Sequence, residues 1–388
     1  MSSGIPRTIP LRNDLAGEEP YGAPQLDVPV CLNVNENPYE PSPEVIESIV
    51  RHVREIAPTL NRYPDREHTA LREALCTYLA RETAVELEPE QVWAANGSNE
   101  IMLQIFQAFG GPGRTALGFA PTYSMYPEYA RDTFTEWTTV ERADDFSIDI
   151  EAGIAAIERI KPAIVLITSP NNPTGTPIDV ADIARIAAAC QNIEVSGAHE
   201  GAHPMVIVDE AYAEFRREGA ASAHTLIKEY DNIAVSRTLS KAFAYAGARV
   251  GYIAANRGAI DALRIVRMPY HLSALTQAAA LAALEHTDEQ LSQVEHLRAT
   301  RDQTAAWLSE QVYHNEKLIV ADSDSNFIMF GRFLNRHLVF EKLVERGVLI
   351  REVGPEGFMR VCMGTDEEME AFRTALTQVL DELNASGL

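Results

Sequence analysis

The sequence predicts an α/β protein with a mostly parallel central sheet flanked by helices, followed by a smaller α+β domain. Two observations carry this. From about residue 91 to residue 254, short apolar runs alternate with segments of helical periodicity, the pattern of a parallel sheet covered on both faces. After about 257 the pattern turns helical, then ends in a short mixture of strands and helices. The 388 residues exceed the ~100–200 of a usual domain. We therefore expect an N-terminal arm at 1–30, a large α/β domain at 31–285 whose first residues pack with the small domain, and a small domain at 286–388.

Residues 1–30 carry five of the 21 prolines and no clear periodicity, which predicts an extended arm, loosely ordered or packed on a neighbour. A helix starts at Pro41-Ser42-Pro43, continues through Val45, Ile49 and Val53, and ends near Pro58. A second helix carries Leu71, Leu75 and Leu79 on one face. Strands are predicted at 92–95, 115–119, 134–140, 163–168, 205–208, 233–236 and 250–254, with helices at 101–109, 123–131, 151–160 and 179–190. Helices follow at 257–267, 273–285 and 288–313. The last unit has strands near 326–330, 348–350 and 359–361 and helices near 336–345 and 366–383.

Composition narrows the function. A hydrophobic content of 46% supports a sizeable core, and a net charge of −23 argues against nucleic acid or an anionic membrane as partner. An anionic substrate would need local arginines. The four cysteines are far apart in sequence and lack a CxxC pair, as in a reducing compartment. Neither a signal-peptide core nor a membrane-length apolar run is evident, so a cytoplasmic location is expected.

Chemistry gathers where strands end, as it does in parallel sheets. The chain has only five lysines, and Lys241 alone combines a polar, uncharged setting with a position just after a strand. Thr238 and Ser240 precede it and Arg249 follows. The amine can form a Schiff base, and the hydroxyls and guanidinium can hold a phosphate; the bland alternative is a solvated loop lysine. Asp209 ends an apolar strand, where ionisation is costly without a positive partner such as a pyridinium nitrogen; otherwise it caps the next helix. The loop SPNNPTG (169–175) holds Asn172 rigidly, or is merely a tight turn. Gly97-Ser98-Asn99 opens a helix, where N–H groups and a hydroxyl seat a phosphate, or where Ser98 is a simple cap. Tyr123 could stack on a ring or only pack.

Taken together and in order, these residues resemble the fold-type I pyridoxal-phosphate-dependent aminotransferases of class II, from about Leu32 to Leu383. The motifs LNVNENPYEPS, NRYPD, WAANGSNE, APTYSMYP, SPNNPTG, VDEAYAEF, RTLSKAFAYAGARVGY and GVLIRE are similar to those of the histidinol-phosphate aminotransferase family. The resemblance implies transamination of L-histidinol phosphate with 2-oxoglutarate in histidine biosynthesis, with pyridoxal 5'-phosphate on Lys241. An aromatic amino acid aminotransferase of the same fold is the alternative, and a non-catalytic module on this fold the third reading.

By that resemblance Asp209 pairs with the ring nitrogen, Asn172 and Tyr212 bond the ring oxygen, and Tyr123 stacks on the ring. Gly97, Ser98, Asn99, Thr238, Ser240 and Arg249 form the phosphate site, and Tyr63 reaches the cofactor of a neighbouring subunit in a homodimer. Arg360 is expected at the α-carboxylate, Arg351 at the substrate's distal phosphate, and Asn37, where some members carry tyrosine, beside the substrate.

One motif points elsewhere. His199-Glu200-Gly201-Ala202-His203 satisfies HExxH, which binds zinc only from a helix. Gly197, Gly201 and Pro204 oppose a helix there, and no third ligand is placed, so a surface loop at 191–203 and no metal are expected.

Overall fold

The computed structural model describes residues 8–386. Its centre is a seven-stranded sheet built from β1 (Val92–Ala95), β2 (Thr115–Ala120), β3 (Glu136–Glu141), β4 (Ile164–Thr168), β5 (Met205–Asp209), β6 (Ile233–Thr238) and β7 (Gly251–Ala255). The spatial order is β1-β7-β6-β5-β4-β2-β3. Alternation along each strand sends side chains to two apolar layers: Val206 and Val208 enter one, Ile207 the other. Strands buried on both faces need such continuous apolar runs.

The direction of β7 organises the site. It pairs antiparallel with both β6 and β1, while the pairs among β3, β2, β4, β5 and β6 are parallel. The carboxyl ends of β1, β2, β4, β5 and β6 therefore share one sheet edge with the amino end of β7. That is why Arg249, which precedes a strand, lines the same cavity as Asp209, which ends one, and Lys241, which follows one.

Helices form where the sequence caps them. Ser42 Oγ accepts from Val45 N at 3.2 Å to open Pro43–Ile56, and Asn256 and Ser273 open Arg257–Val266 and Ala274–Glu285 in the same way. Before Ser98–Phe109 the cap is Gly97, at φ 80°, and Ser98 is already helical. The long helix runs Thr287–Glu310, three residues short of expectation. His314 and Asn315 both adopt positive φ, which closes Val312–Tyr313 onto Glu316–Lys317 as a hairpin. The helix after Tyr123 starts later than expected, at Tyr126 with Pro127 in its first turn.

The small unit is an antiparallel sheet ordered Ile319–Val320, Phe327–Gly331, Phe358–Cys362, Arg351–Glu352. Val30–Cys31 pairs in parallel with Val348–Leu349, and Cys362 N donates to Leu32 O at 3.0 Å, so the chain enters the large unit from the small one. The arm folds back on its own chain: Asn33 Nδ2 donates to Pro24 O at 2.8 Å. Among the described residues no helix is long and apolar enough to cross a membrane. The HExxH segment is a turn without helix, in which His203 Nδ1 lies 2.8 Å from Ile193 O.

Candidate active site

At that shared edge lies a cavity of about 480 Å³. It is lined by residues of both units, among them Ser98, Tyr123, Asn172, Asp209, Lys241 and Arg360. Asn99, Tyr212, Thr238, Ser240, Arg249 and Arg351 also line it. Residues scattered over more than 260 positions of sequence thus surround one space.

Lys241 extends from the end of β6, with Nζ 3.3 Å from Val34 O. Desolvation lowers its amine to about 8, helped by the charges of Arg360 and Arg249 and opposed by Cys362 and Glu36. Asp209 is 5% exposed. Its Oδ2 accepts from the Tyr126 hydroxyl at 2.7 Å and its Oδ1 from Ala211 N at 3.2 Å. Burial raises this carboxyl to about 6, against the lowering effect of those two bonds. No cation is among its hydrogen-bonding partners in the described residues, so the carboxylate awaits a positive group from the cavity side.

The other end of the cavity is an anion seat. The first turn of Ser98–Phe109 points its N–H groups there, and Arg249, in the left-handed region at φ 56°, stands over Gly97. A Cβ on Gly97 would come 2.5 Å from Arg249 Nη2, and one on Gly251 would meet Ser98 N. Glycine at 97 and 251 is what lets strand, helix start and guanidinium converge. The Thr238 hydroxyl donates to Val250 O and lies 2.9 Å from Ser240 Oγ. A phosphorylated pyridine fits this arrangement: a seat for an anion, an uncompensated buried carboxylate and an amine of lowered basicity line one cavity.

Two hydrogen bonds fix what the amide and the phenol can do. Arg360 Nη1 donates to Asn172 Oδ1 at 2.5 Å, so the Asn172 amide nitrogen is left as a donor. Tyr212 Oη accepts from Asn35 Nδ2 at 2.8 Å, which leaves its own proton to donate. Arg360 also donates to Asn33 O at 3.1 Å and sits 5.0 Å over the Phe327 ring. Its buried Nε, like Arg351 Nη1, has no hydrogen-bond partner among the described residues.

Two expected residues are elsewhere. Asn37 is not on the cavity wall: its Nδ2 donates to Ala242 O at 3.2 Å and its Oδ1 accepts from Tyr39 N. The left-handed turn at Asn35, φ 56°, gives the wall to Glu36 and spends the Asn37 amide on the backbone beside Lys241. Tyr63 is 79% exposed and stacks on Tyr270 with centroids 4.5 Å apart, outside this chain's cavity. The arm, expected loose or on a neighbour, contributes Tyr21 and Ala23 to the wall. Two further residues reach the site: Tyr126, marked in sequence only by its place three residues after Tyr123 in APTYSMYP, and Asn35, which nothing local marks.

This constellation, on this sheet, defines a fold-type I aminotransferase site. The chain belongs to the family described as aminotransferase class I and II, whose model matches residues 28–376. Within it the chain is similar to proteins named histidinol-phosphate aminotransferase. The histidinol-phosphate aminotransferase of Bifidobacterium longum (strain NCC 2705) is 66% identical over 385 residues, 99% of this chain and 100% of that protein. That of Thermobifida fusca (strain YX) is 55% identical, covering 95% of each chain. Among solved structures, histidinol-phosphate aminotransferase from Sinorhizobium meliloti in complex with pyridoxal-5'-phosphate superposes with a TM-score of 0.77 at 24% identity, over 92% of each chain; it supports the fold.

Proposed function

We propose that this chain transaminates L-histidinol phosphate with 2-oxoglutarate, giving imidazole-acetol phosphate and L-glutamate, with pyridoxal 5'-phosphate held on Lys241. The observation that carries the substrate reading is the pair Arg351 and Arg360, both on the cavity wall, beside relatives of that name at 66% and 55% identity. When bound, the cofactor supplies an electron sink for the pair released as the substrate's α C–H bond breaks.

The geometry supports a part for each of the protein's own residues. Lys241, with its amine lowered to about 8, carries a proton to and from the substrate carbon near neutral pH. Asp209 would stay ionised opposite a cationic ring nitrogen. Asn172 and Tyr212 would each direct a donor to the ring oxygen, and Tyr123 would lie against the ring. Ser98, Asn99, Thr238, Ser240 and Arg249 bind the phosphate, with Gly97 giving Arg249 its place. Arg360 takes the α-carboxylate of glutamate in the planar, two-pronged manner of a guanidinium. Arg351 takes the phosphate of histidinol phosphate or the distal carboxylate of glutamate.

We further read 31–285 and 286–388 as large and small domains after an arm at 1–30. A homodimer is supported by apolar side chains left at the surface, including Tyr63, Ile265 at 84% and Met268 at 70% exposure, with Tyr63 serving the partner's site. The cytoplasm is the compartment that suits four free cysteines.

The test is a panel of amino donors with 2-oxoglutarate as acceptor, alongside sedimentation of the protein. Histidinol phosphate should be preferred over phenylalanine by kcat/KM and the protein should sediment as a dimer. A preference for aromatic amino acids would replace the substrate assignment with the aromatic aminotransferase reading.

A further inference from the structure

Tyr212 can donate into the cavity only while its own proton is not committed elsewhere, and its neighbours decide that. Asn35 Nδ2 lies 2.8 Å from Tyr212 Oη, and an amide N–H can only donate. The phenol therefore accepts from Asn35, and its proton turns toward the cavity that Tyr212 lines. Were the Asn35 carboxamide turned over, its Oδ1 would face the phenol, take that proton, and leave the cavity one donor short.

Cys362 sets which way the carboxamide faces. Its Sγ accepts from the Asn35 backbone N–H at 3.0 Å and lies 2.9 Å from Asn35 Oδ1, so the thiol proton has the carboxamide oxygen as its acceptor. Asn326 Nδ2 donates to Asn35 O at 3.2 Å, holding the backbone. Asn35 and Cys362 are each 2% exposed, so a wrongly turned amide has no water to satisfy it. Burial pushes the Cys362 thiol up and holds the Tyr212 phenol at about 12, and both keep their protons at neutral pH.

We propose that Asn35 and Cys362 are positioning residues for the reaction: the thiol fixes the carboxamide, and the carboxamide makes Tyr212 a one-way donor into the cavity. The inference rests on the reading of Tyr212 as the ring-oxygen donor. It also links the units, since Cys362 ends a strand of the small sheet and Tyr212 follows β5.

A donor to the ring oxygen stabilises its ionised form and so lowers the pH midpoint at which the visible absorption of the lysine-bound cofactor titrates. In cofactor-loaded protein, Cys362→Ala should raise that midpoint by about half a unit to one unit, and Cys362→Ser, which keeps a donor, should restore it. Tyr212→Phe should raise the midpoint as well, and adding Cys362→Ala to it should change nothing further. An unmoved midpoint in Cys362→Ala overturns the inference, as does a shift that persists in the Tyr212→Phe background. Should Cys362→Ala not fold, Cys362→Val, which also removes the thiol donor, replaces it with the same expected shift and the same lack of effect in Tyr212→Phe. Loss of the visible band in loaded wild-type protein, or no shift with Tyr212→Phe, overturns the underlying site reading and this inference with it.

Discussion

Arg351 and Arg360 stand directly opposite each other on neighbouring antiparallel strands, two like charges on one face of a small sheet. Opposed like charges destabilise a sheet, and here neither guanidinium has a carboxylate among its hydrogen-bonding partners in the described residues: Arg351 donates to Gly22 O at 3.4 Å, Arg360 to Asn172 and Asn33. The pair is an arrangement whose natural complement is an anion between them.

Replacing one partner separates binding from stability. Arg351→Leu should lower kcat/KM for histidinol phosphate by roughly 10²–10³-fold, the loss of a charge-assisted contact of about 3–4 kcal/mol. Turnover of phenylalanine should fall far less, and the unliganded Tm should hold or rise as the repulsion is relieved. Paired kcat/KM measurements and a thermal melt check this; equal losses on both substrates would remove Arg351 from the phosphate.

Lys241 leads to a pH-dependent capture rate. Only the neutral amine attacks a carbonyl, and desolvation lowers this amine from 10.5 to about 8. The rate at which apoprotein gains visible absorbance from pyridoxal phosphate should therefore rise with pH and level off above about 8. Lys241→Ala should show neither absorbance nor turnover. A rate still climbing through pH 10 would mean an exposed amine of ordinary basicity.

Much of this arrangement was legible in order along the chain. Apolar runs at 163–168, 205–208 and 233–236 fixed the central strands, because a strand buried on both faces cannot disguise its composition. Asp209 then lay at a strand end and Lys241 just beyond one. What was hidden depends on contacts remote in sequence or on single dihedral angles. Asn35 meets Tyr212 across 177 positions and Cys362 across 327, and its left-handed φ turns Asn37 away from the cavity. The arm's Tyr21 reaches the wall through backbone bonding at Pro24 that no periodicity signals.

The anion seat depends on the absence of a side chain. Gly97→Ala would set a Cβ 2.5 Å from Arg249 Nη2 at φ 80°, a backbone region costly to other residues. The guanidinium must move, so affinity for pyridoxal phosphate should fall by about 10–100-fold, the size of a charged hydrogen bond. The fold should be retained with a Tm lowered by a few degrees, since the strain is local, about 1–2 kcal/mol. Titration of apoprotein with the cofactor measures it, and unchanged affinity would remove Arg249 from the phosphate site.

Asp209 ties the cofactor to stability with a definite sign. Its carboxyl is raised from 3.8 to about 6 in the folded protein, so the native state binds its proton more tightly than the unfolded chain does. The stability this contributes is fully present below about 4 and is lost as pH rises toward 6. Above that, apoprotein carries a buried charge without a cation beside it. Asp209→Asn should thus stabilise apoprotein at pH 8 by about 1–3 kcal/mol, while weakening cofactor binding and nearly abolishing turnover. Tyr126→Phe acts on the same carboxylate in the other direction. Without the 2.7 Å bond from the phenol, the carboxyl should titrate higher still, and cofactor affinity at pH 7 should drop about tenfold and recover as pH is raised. Melts of apo- and cofactor-loaded protein at pH 5 and 8, with binding titrations at both, distinguish the two variants. Apoprotein destabilised by Asp209→Asn at pH 8 would show that the carboxylate already has a positive partner within the chain.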